Sequence, residues 1–487
     1  CIQGDRMATA APENEDRLDA GVLKVAGVVV LGLIMSILDI TVVSVAQPTF
    51  QQIFEASPAN VAWSMTGYTL ALATIIPVTG WAADRFGTKR LYLLALLLFV
   101  GGSFLCAMAW DVGSLIGFRV VQGLGGGMLM PLAMTIMARA AGPHRIGRVM
   151  AVLGVPMLLG PICGPILGGW LIEKASWHWI FLVNVPIGVA ALVYALLALP
   201  RDRPKPSRPF DFVGMLLLSP GLALLLYGVS AISEEATVAA AKVLVPGVAG
   251  VVLCLAFVWH AFRPEHPLID LRLFRNRQLA VAAITTFLFS VAFFGATLFI
   301  PSYFLQVRGE GTLTAGLLVA PQGIGAMITM PLAGRAVDRI GPGKIVVAGL
   351  IAIIMGMAVF TQVGVDTPYP MLLGALFVMG LGMGATMMPT MTAALQTLKD
   401  QAIAQGSTLV EIIQQVAASA GTAVMSVVLT SQINSTPSAD DTASAFGATY
   451  AVGMALLVLT LVAAFFLPRR KPDEPGVVHD SELSATR

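Results

Sequence analysis

Long apolar stretches recur along the whole chain and constrain its fold more than any other feature. Of the 487 residues, 57% are hydrophobic and 11% are charged, whereas soluble globular proteins carry about 25% charged residues. A helix that crosses a bilayer needs about 20 mostly apolar residues. The sequence predicts fourteen such helices, within residues 24–46, 61–79, 91–109, 113–137, 149–171, 179–199, 211–231, 241–260, 279–302, 314–333, 345–364, 369–393, 407–430 and 446–467.

The positions of the basic residues support this count. In membrane proteins, Lys and Arg concentrate in the loops on the cytoplasmic side. Of the 29 Lys and Arg residues, all fall in alternate connections or in the two termini except Lys174, Lys242, Arg308 and Arg119. An odd number of helices would break this alternation. We therefore predict fourteen spans with both termini in the cytoplasm.

The remaining composition argues against several other classes of protein. A net charge of +2 without a basic patch makes a nucleic-acid partner unexpected. Cys106, Cys163 and Cys254 lie in apolar runs without metal-ligand spacing, so no metal site is expected. Walker A, HExxH and GxSxG motifs are absent, which argues against direct use of ATP and against an enzyme. Met7 is the expected start, and the residues before the first span lack the apolar core of a signal peptide.

A short segment is repeated at the ends of the second and tenth spans. Pro77 to Gly87 (PVTGWAADRFG) returns 254 residues later as Pro331 to Gly341 (PLAGRAVDRIG), with six of the eleven positions identical. Many transporters consist of duplicated halves that move about a substrate site near the midplane. The repeat therefore predicts a two-halved transporter. The residues expected to act in conformational change are Gly80, Asp84, Arg85, Gly87 and Arg90 in the first copy, and Gly334, Asp338, Arg339 and Gly341 in the second.

Two charged residues lie inside predicted spans of the first half. Asp39 is surrounded by apolar residues, and charged groups within a membrane are costly and usually functional. We predict that Asp39 couples transport to protons; a structural hydrogen bond to Thr41 is the alternative. At about 1.5 Å of rise per residue, Asp39 and Arg119 lie at similar depths of roughly 10 Å and 9 Å, so they can interact. Arg119 could instead hold two helices together through their carbonyl groups.

Other polar and small residues give further candidates. Gly160, Gly164 and Gly168 recur every four residues in the fifth span, which allows close approach of a neighbouring helix. Glu411 lies about one turn from the basic end of helix 13, as a second proton or cation site or simply in contact with water. Asp84 could pair with Arg139 in one conformation only. The candidate substrate-cavity residues, which could instead pack against helices or lipid, are Trp63, Tyr68, Gln122, Phe293 and Met383.

These motifs resemble those of a known family. Gly80 to Arg90 (GWAADRFGTKR) resembles the cytoplasmic loop signature of the major facilitator superfamily. The fourteen-helix layout is similar to that of the EmrB/QacA-like drug:proton antiporters. Residues 38–48, 177–188 and 271–277 match further family segments. Ser44, Gln47 and His178 differ from the Asn, Leu and Arg that are usual in the family, and these differences bear on substrate choice.

The resemblance implies an all-α polytopic membrane protein with the major facilitator fold. Two six-helix bundles would comprise residues 22–200 and 278–468, with two extra helices in a linker at 201–277 and cytoplasmic tails at 1–21 and 469–487. It also implies that Arg119 takes part in proton coupling. The pattern gxxxGPxxGG in helix 5 is typical of exporters in the superfamily, and its residues here are Gly160, Pro161, Gly164, Pro165, Gly168 and Gly169.

The resemblance further implies proton-driven export of hydrophobic or amphipathic, often cationic, small molecules by alternating access. Such a protein would lie in a bacterial inner membrane, need no cofactor and act as a monomer, with or without a periplasmic adaptor. A dedicated exporter of a siderophore, an amino acid or an endogenous antibiotic is the main alternative. A symporting importer and an integral-membrane sensor or enzyme are further alternatives.

Overall fold

In a computed structural model of the protein, every regular element of the described chain is a helix. The structure describes residues 20–141, 146–201, 209–235, 240–297, 299–396, 398, 402–433 and 439–468. The long helical segments are α1 Ala20–Ile53, α2 Pro58–Phe86, α3 Thr88–Ala107, α4 Val112–Ala141, α5 Ile146–Lys174, α6 Trp179–Ala198, α7 Phe212–Glu235, α8 Ala241–Ala261, α9 Arg277–Gln306, α10 Thr312–Ile340, α11 Pro342–Phe360, α12 Tyr369–Leu395, α13 Ile403–Ile433 and α14 Ala439–Ala464.

The number of segments agrees with the fourteen spans predicted from the sequence. All of them except α5 are long and apolar enough to cross a bilayer by length and composition. Segment α5 is a helix of 29 residues, and several of its side chains lie outside the described residues. Segment α6 consists of the helices Trp179–Leu182 and Asn184–Ala198, and α9 consists of Arg277–Thr297 and Ile300–Gln306. The predicted all-α membrane fold is confirmed.

The repeated sequence forms the same tight turn in both halves of the chain. Gly87 alone separates α2 from α3, and Gly341 alone separates α10 from α11. Their φ angles are 96° and 83°, a region that glycine enters readily and other residues avoid. Each amide donates to a carbonyl four residues earlier, Gly87 to Ala83 at 3.1 Å and Gly341 to Val337 at 3.0 Å. The repeat therefore encodes a sharp reversal between two membrane helices.

The helices of the two halves pair in the same pattern. In the first half, α1 packs on α5 and α6, α2 packs on α4, and α3 packs on α4 and α6. In the second half the corresponding pairs are α9 with α13 and α14, α10 with α12, and α11 with α12 and α14. Duplicated halves with the same internal packing are the architecture from which many transporters build alternating access.

The two inserted helices form a hairpin beside the place where the halves meet. Helices α7 and α8 pack on each other, and α7 also packs on α2 of the first half and α13 of the second. A side chain added at Gly228 would lie 2.7 Å from the amide nitrogen of Gly247, so the hairpin needs glycine for its close approach. Asp211 caps α7 by accepting the Gly214 amide at 2.8 Å, and it also contacts His260 Nε2 at 2.8 Å.

Candidate functional site

A carboxylate at the centre of the first half is fully supplied with hydrogen-bond donors. Asp39 of α1 has 1% of its surface exposed. Its Oδ1 accepts from Gln122 Nε2 at 2.8 Å and from Asn184 Nδ2 at 3.0 Å. Its Oδ2 forms an ion pair with Nη1 of Arg119. The structure thus brings together the two charged residues that the depth estimate placed at one level.

Arg119 of α4 is held from several directions. It is completely buried, and its Nε donates to the backbone carbonyl of Ser64 at 3.2 Å. Its Nη1 also donates to Gln122 Oε1 at 2.7 Å. The guanidinium carbon lies 4.2 Å from the centre of the Tyr68 ring, within the range of a cation–π contact. A buried charge needs this degree of pairing, because an uncompensated one costs several kcal/mol.

A serine of α3 joins the two amide side chains around Asp39. Ser103 Oγ accepts from Gln122 Nε2 at 2.6 Å and from Asn184 Nδ2 at 3.2 Å. The resulting network, which we call the Asp39 cluster, comprises Asp39, Ser103, Arg119, Gln122 and Asn184. Its members come from α1, α3, α4 and α6, all of the first half. A Cβ at Gly102 would lie 2.7 Å from the backbone of Gln122, so glycine allows α3 and α4 to bring these groups together.

Sequence reasoning missed two members of the Asp39 cluster. Asn184 stands between Val183 and Val185 inside an apolar segment, and an isolated amide in a membrane span is a signal that could have identified it. Ser103 carries no such signal, because serine is common at helix contacts within membranes. The alternative role considered for Thr41 is not observed: its hydroxyl donates to backbone carbonyls, including that of Gly160 at 3.1 Å.

The glycines of α5 form the seat on which α1 packs. A Cβ added at Gly164 would lie 2.5 Å from Thr41 Cβ, and one at Gly168 would lie 3.2 Å from the Val42 carbonyl oxygen. A Cβ at Gly160 would overlap Ile37. Gly169 differs, since a Cβ there would meet nothing within 4 Å. The rings of Pro161 and Pro165 lie outside the described residues. The close approach predicted from the glycine spacing is therefore an approach to the helix that carries Asp39.

The first copy of the repeated segment makes the predicted ion pair with Arg139. Asp84 Oδ1 lies 3.1 Å from Arg139 Nη2, and the two side chains are 14% and 30% exposed. Arg85 and Arg90 are exposed on the same end of the molecule. Lys89 Nζ donates to the carbonyls of Leu196 and Leu199 at 2.8 Å, which ties this loop to the end of α6.

The second loop copy has the same backbone but different surroundings. Asp338 is 8% exposed, Gly334 is buried and Arg339 is exposed. The position that corresponds to Arg139 at the same offset is Ala393, which is buried. The Asp84–Arg139 pair is therefore not repeated in the second half, even though the turn is.

Side chains of the two halves meet near the basic side, the end of the bundle with the Lys- and Arg-rich connections. Thr135 Oγ1 of α4 donates to Ser407 Oγ of α13 at 3.1 Å, and both side chains are buried. A Cβ at Gly80 of α2 would lie 2.9 Å from Thr408 Oγ1 and 3.2 Å from the Ala404 carbonyl. These contacts close the basic side in this conformation.

Glu411 lies deeper than its predicted position. Helix α13 begins at Ile403 rather than at residue 407, so Glu411 is about two turns from the helix end instead of one. It follows Ser407 and Thr408 by one turn and therefore shares the face of α13 that meets the first half. Among the described residues, neither Glu411 Oε2 nor Gln414 Oε1 has a hydrogen-bond partner, and both atoms are buried. The oxygen Oε2 is buried, but the residue as a whole is only half-buried, so contact with water and a second proton or cation site both stay predictions.

The five residues proposed for a substrate cavity do not line one cavity here. Tyr68 and Gln122 are buried around Arg119. Phe293, which is 2% exposed, stacks on Phe289 with ring centres 5.1 Å apart in the second half. Trp63 stacks on Tyr227 of α7 at 5.6 Å, and Met383 is half-buried on α12. Aromatic and Met side chains at helical spacing pack well against neighbouring helices, and Phe293 and Trp63 do so here.

Within the described part of the chain, no group of three His, Cys, Asp or Glu side chains gathers as a metal site requires. Two of the ionisable pairs in the described chain, Asp39 with Arg119 and Asp84 with Arg139, are ion pairs between residues that the sequence singled out.

Comparison with known proteins gives a consistent family. The profile of the Major Facilitator Superfamily matches residues 29–422. The chain is 49% identical to a protein of Mycobacterium tuberculosis named "Multidrug resistance protein B homolog", over 94% of this chain and 92% of the relative. It is 32% identical to a "Putative multidrug resistance protein MdtD" of Serratia proteamaculans, over 90% of this chain and 92% of the relative. The human organic anion transporter MFSD10 (TETRAN) has the same fold, with a TM-score of 0.63, 19% identity, and coverage of 90% of this chain and 99% of that one.

Proposed function

The chain belongs to the Major Facilitator Superfamily, and from this premise we propose that it exports hydrophobic or amphipathic, often cationic, small molecules in exchange for protons. Relatives from Mycobacterium tuberculosis and Serratia proteamaculans are named as multidrug resistance proteins, which supports export of several compounds. We place the protein in a bacterial inner membrane, with the basic side and both termini in the cytoplasm. It works as a monomer without a cofactor.

The Asp39 cluster carries this proposal. A buried acid in a membrane protein is costly, and such acids mark proton or ion pathways. Here the carboxylate is paired with a fully buried arginine and two amides, so both of its oxygens have donors from the first half. A proton that reaches Asp39 removes its charge and so releases Arg119 from the pair. Arg119 keeps its bonds to Ser64 and Gln122, which lets the cluster change charge without losing its position.

Proton binding reaches the rest of the molecule through α1. Asp39 lies within one turn of Ile37 and Thr41, which contact the glycines of α5. A change in the attraction between Arg119 and Asp39 therefore acts on α1, which packs closely on α5. Glycine contacts of this kind permit small relative movements of two helices, because backbones meet without interlocking side chains. The position of α1 thereby depends on protonation.

The contacts on the basic side form the cytoplasmic gate of the proposed cycle. The Thr135–Ser407 hydrogen bond and the packing of Gly80 on Thr408 join the halves. The Asp84–Arg139 pair stabilises the ends of α2 and α4 while this gate is closed. A partly exposed ion pair contributes only about 0.2–1 kcal/mol. If the pair forms in one state only, however, its whole free energy shifts the equilibrium toward that state.

Glu411 serves as a second proton or cation site. Its orphaned oxygen lies on the face of α13 that meets the first half, one turn further into the membrane than Ser407. A buried carboxylate without a donor is expensive as an anion. It is therefore stable with a proton bound or with a cationic group of a substrate nearby.

Exchange in proteoliposomes tests the proposal. The purified protein should drive uptake or release of a fluorescent cationic dye when a pH gradient is imposed, with movement of protons in the opposite direction. Asp39→Asn should lower this exchange by about 10- to 100-fold, the equivalent of losing one hydrogen-bonded charged group. Asp111→Asn is the matched control, because Asp111 is exposed in the loop before α4, where hydrogen bonds from Ser114 lower its pKa. Full-rate exchange by Asp39→Asn would refute the coupling role.

A dedicated metabolite exporter of the same fold is the second candidate. Ser44 and Gln47 of α1 differ from the residues usual in the family, and Gln47 Nε2 donates to Ser64 Oγ at 3.1 Å beside the carbonyl that holds Arg119. This side chain could adapt the site to one compound. Susceptibility to a broad panel of drugs in a pump-deficient host separates the two candidates, since a dedicated exporter changes none of them or only one.

A further inference from the structure

The hairpin of α7 and α8 lies along the line where the two halves meet. It packs closely toward the basic side and leaves a cavity nearer the other side. Toward the basic side, Leu218 and Leu222 of α7 pack with Ile76 of α2 and with Leu409 and Ile412 of α13, and all five are buried. Nearer the other side of the membrane, the same three helices separate and leave a cavity of about 250 Å³. We call this cavity the seam pocket. Its polar lining consists of Thr66, Thr69, Tyr227, Ser230, Ser419 and Thr422.

The lining of the seam pocket is amphipathic and uncharged. Five aliphatic hydroxyls and the Tyr227 phenol face a cavity whose other walls are apolar, and none of its described lining residues is charged. Thr69 and Thr422 donate to the carbonyls of Met65 and Ala418 at 3.0 Å, which leaves their oxygens free to accept. Among the described residues, the hydroxyls of Thr66, Ser230 and Ser419 form no hydrogen bond. Polar groups at membrane depth gain from a partner that lipid tails cannot supply.

The position of the seam pocket connects it with the Asp39 cluster. Thr66 is eight residues into α2, about 12 Å along the helix, and Arg119 is seven residues into α4, about 10 Å along it. Met65 belongs to the pocket wall, and its sulfur lies 4.0 Å from Arg119 Nη2. A molecule in the pocket would therefore be separated from the arginine by one side chain. Trp63, which is 41% exposed, stacks on Tyr227 in the same region.

We propose that the seam pocket binds uncharged aromatic molecules that carry a hydrogen-bonding group, and that α7 was inserted between the halves to build it. The pocket holds one or two rings, whose polar substituent meets the hydroxyls of α2 and α13 while the rings lie beside Tyr227. This site is distinct from the proposed coupling site and does not depend on proton exchange. It gives helix α7 a role in binding neutral compounds that dissolve in the bilayer.

Photolabelling of the full-length protein in lipid vesicles tests this site. The probe is an uncharged phenol that carries an aryl diazirine, compared with a counterpart in which a methyl group replaces the hydroxyl. We expect the phenol to label peptides of α2, α7 and α13 around the pocket more strongly than its counterpart. Thr66→Val and Thr422→Val should each weaken labelling by about five-fold, the equivalent of one neutral hydrogen bond. Ser419→Leu should abolish it by filling the space.

Thr74→Val is the matched control, because Thr74 lies on the same helix, donates to Leu70 and is outside the pocket. Equal labelling by the two probes would overturn the proposal, because it would indicate ordinary contact with lipid acyl chains. An equal loss in Thr74→Val would overturn it as well, since the effect would then be one of helix α2 in general. Labelling needs no pH gradient, so failure of proton-driven exchange would leave its result unaffected.

Discussion

The close packing of α1 on the glycines of α5 leads to a prediction. It distinguishes glycines that are needed for helix contact from glycines that merely belong to the same sequence pattern. Gly164 and Gly169 belong to the same exporter-type pattern, but only Gly164 contacts α1. A Cβ at Gly164 would lie 2.5 Å from Thr41 Cβ, whereas ordinary van der Waals contacts lie at 3.4–4 Å, and Gly169 has open space. Excess volume in a close-packed contact costs about 1–3 kcal/mol. Gly164→Ala should therefore lose that stability and Gly169→Ala should lose almost none.

The thermal midpoint of the purified protein in mild detergent measures the loss of stability. Dye exchange in proteoliposomes measures the effect on transport. We expect Gly164→Ala to lower both, because the displaced α1 carries Asp39 away from Arg119. Combining it with Thr41→Ala should recover part of the loss, since the threonine hydroxyl is the atom nearest to the added methyl group. Equal damage from Gly164→Ala and Gly169→Ala would refute the packing argument and leave only the motif as an explanation.

Three further changes test the gate, the repeated turn and the second acid. Arg139→Gln should remove the pair with Asp84, shift the balance from the closed basic side by about 0.2–1 kcal/mol, and increase labelling of cysteines placed along α13 by an impermeant thiol reagent added to the cytoplasmic side. Gly341→Ala should lower the thermal midpoint by an amount equivalent to about 1–3 kcal/mol, because its φ of 83° and ψ of 155° lie in a region that is essentially restricted to glycine; normal stability would contradict this. Glu411→Gln should keep the thermal midpoint but flatten the pH dependence of exchange, and an unchanged profile would exclude its role.

The sequence predicts the number and approximate positions of the membrane helices well because this signal is local. Each span must be apolar along its own length, whereas the side of each loop stays a prediction from its Lys and Arg residues. The turn at Gly87 is equally local, since a tight reversal requires a positive φ. The start of α13 was predicted at residue 407, but the helix begins four residues earlier, at Ile403, and Ser407 and Thr408 are buried in contacts with the first half.

The candidate site was predicted only in part, because its members come from distant segments. Depth counting placed Asp39 and Arg119 at one level, since both lie in helices of known direction. Rotation about a helix axis cannot be counted in this way, so the sequence did not reveal that Tyr68 lies against Arg119 or that Phe293 is buried against Phe289. The contacts of α7 with α2 and α13 depend on how separate bundles meet, which no local pattern encodes.

Asp39 and Glu411 differ in how a movement of the two halves affects their surroundings. Among the described residues, every donor to the Asp39 carboxylate belongs to the first half, so a rigid rotation of that half carries the carboxylate and these partners together. Its environment changes only if α1 slides on its glycine seat or water enters. Glu411 lies instead on the α13 face that meets the first half, so opening the gate alters its surroundings directly. In the proposed cycle, a proton on Asp39 would therefore act through α1 and α5, whereas the state of the gate would act on Glu411, and a variant that locks one should leave the other able to respond.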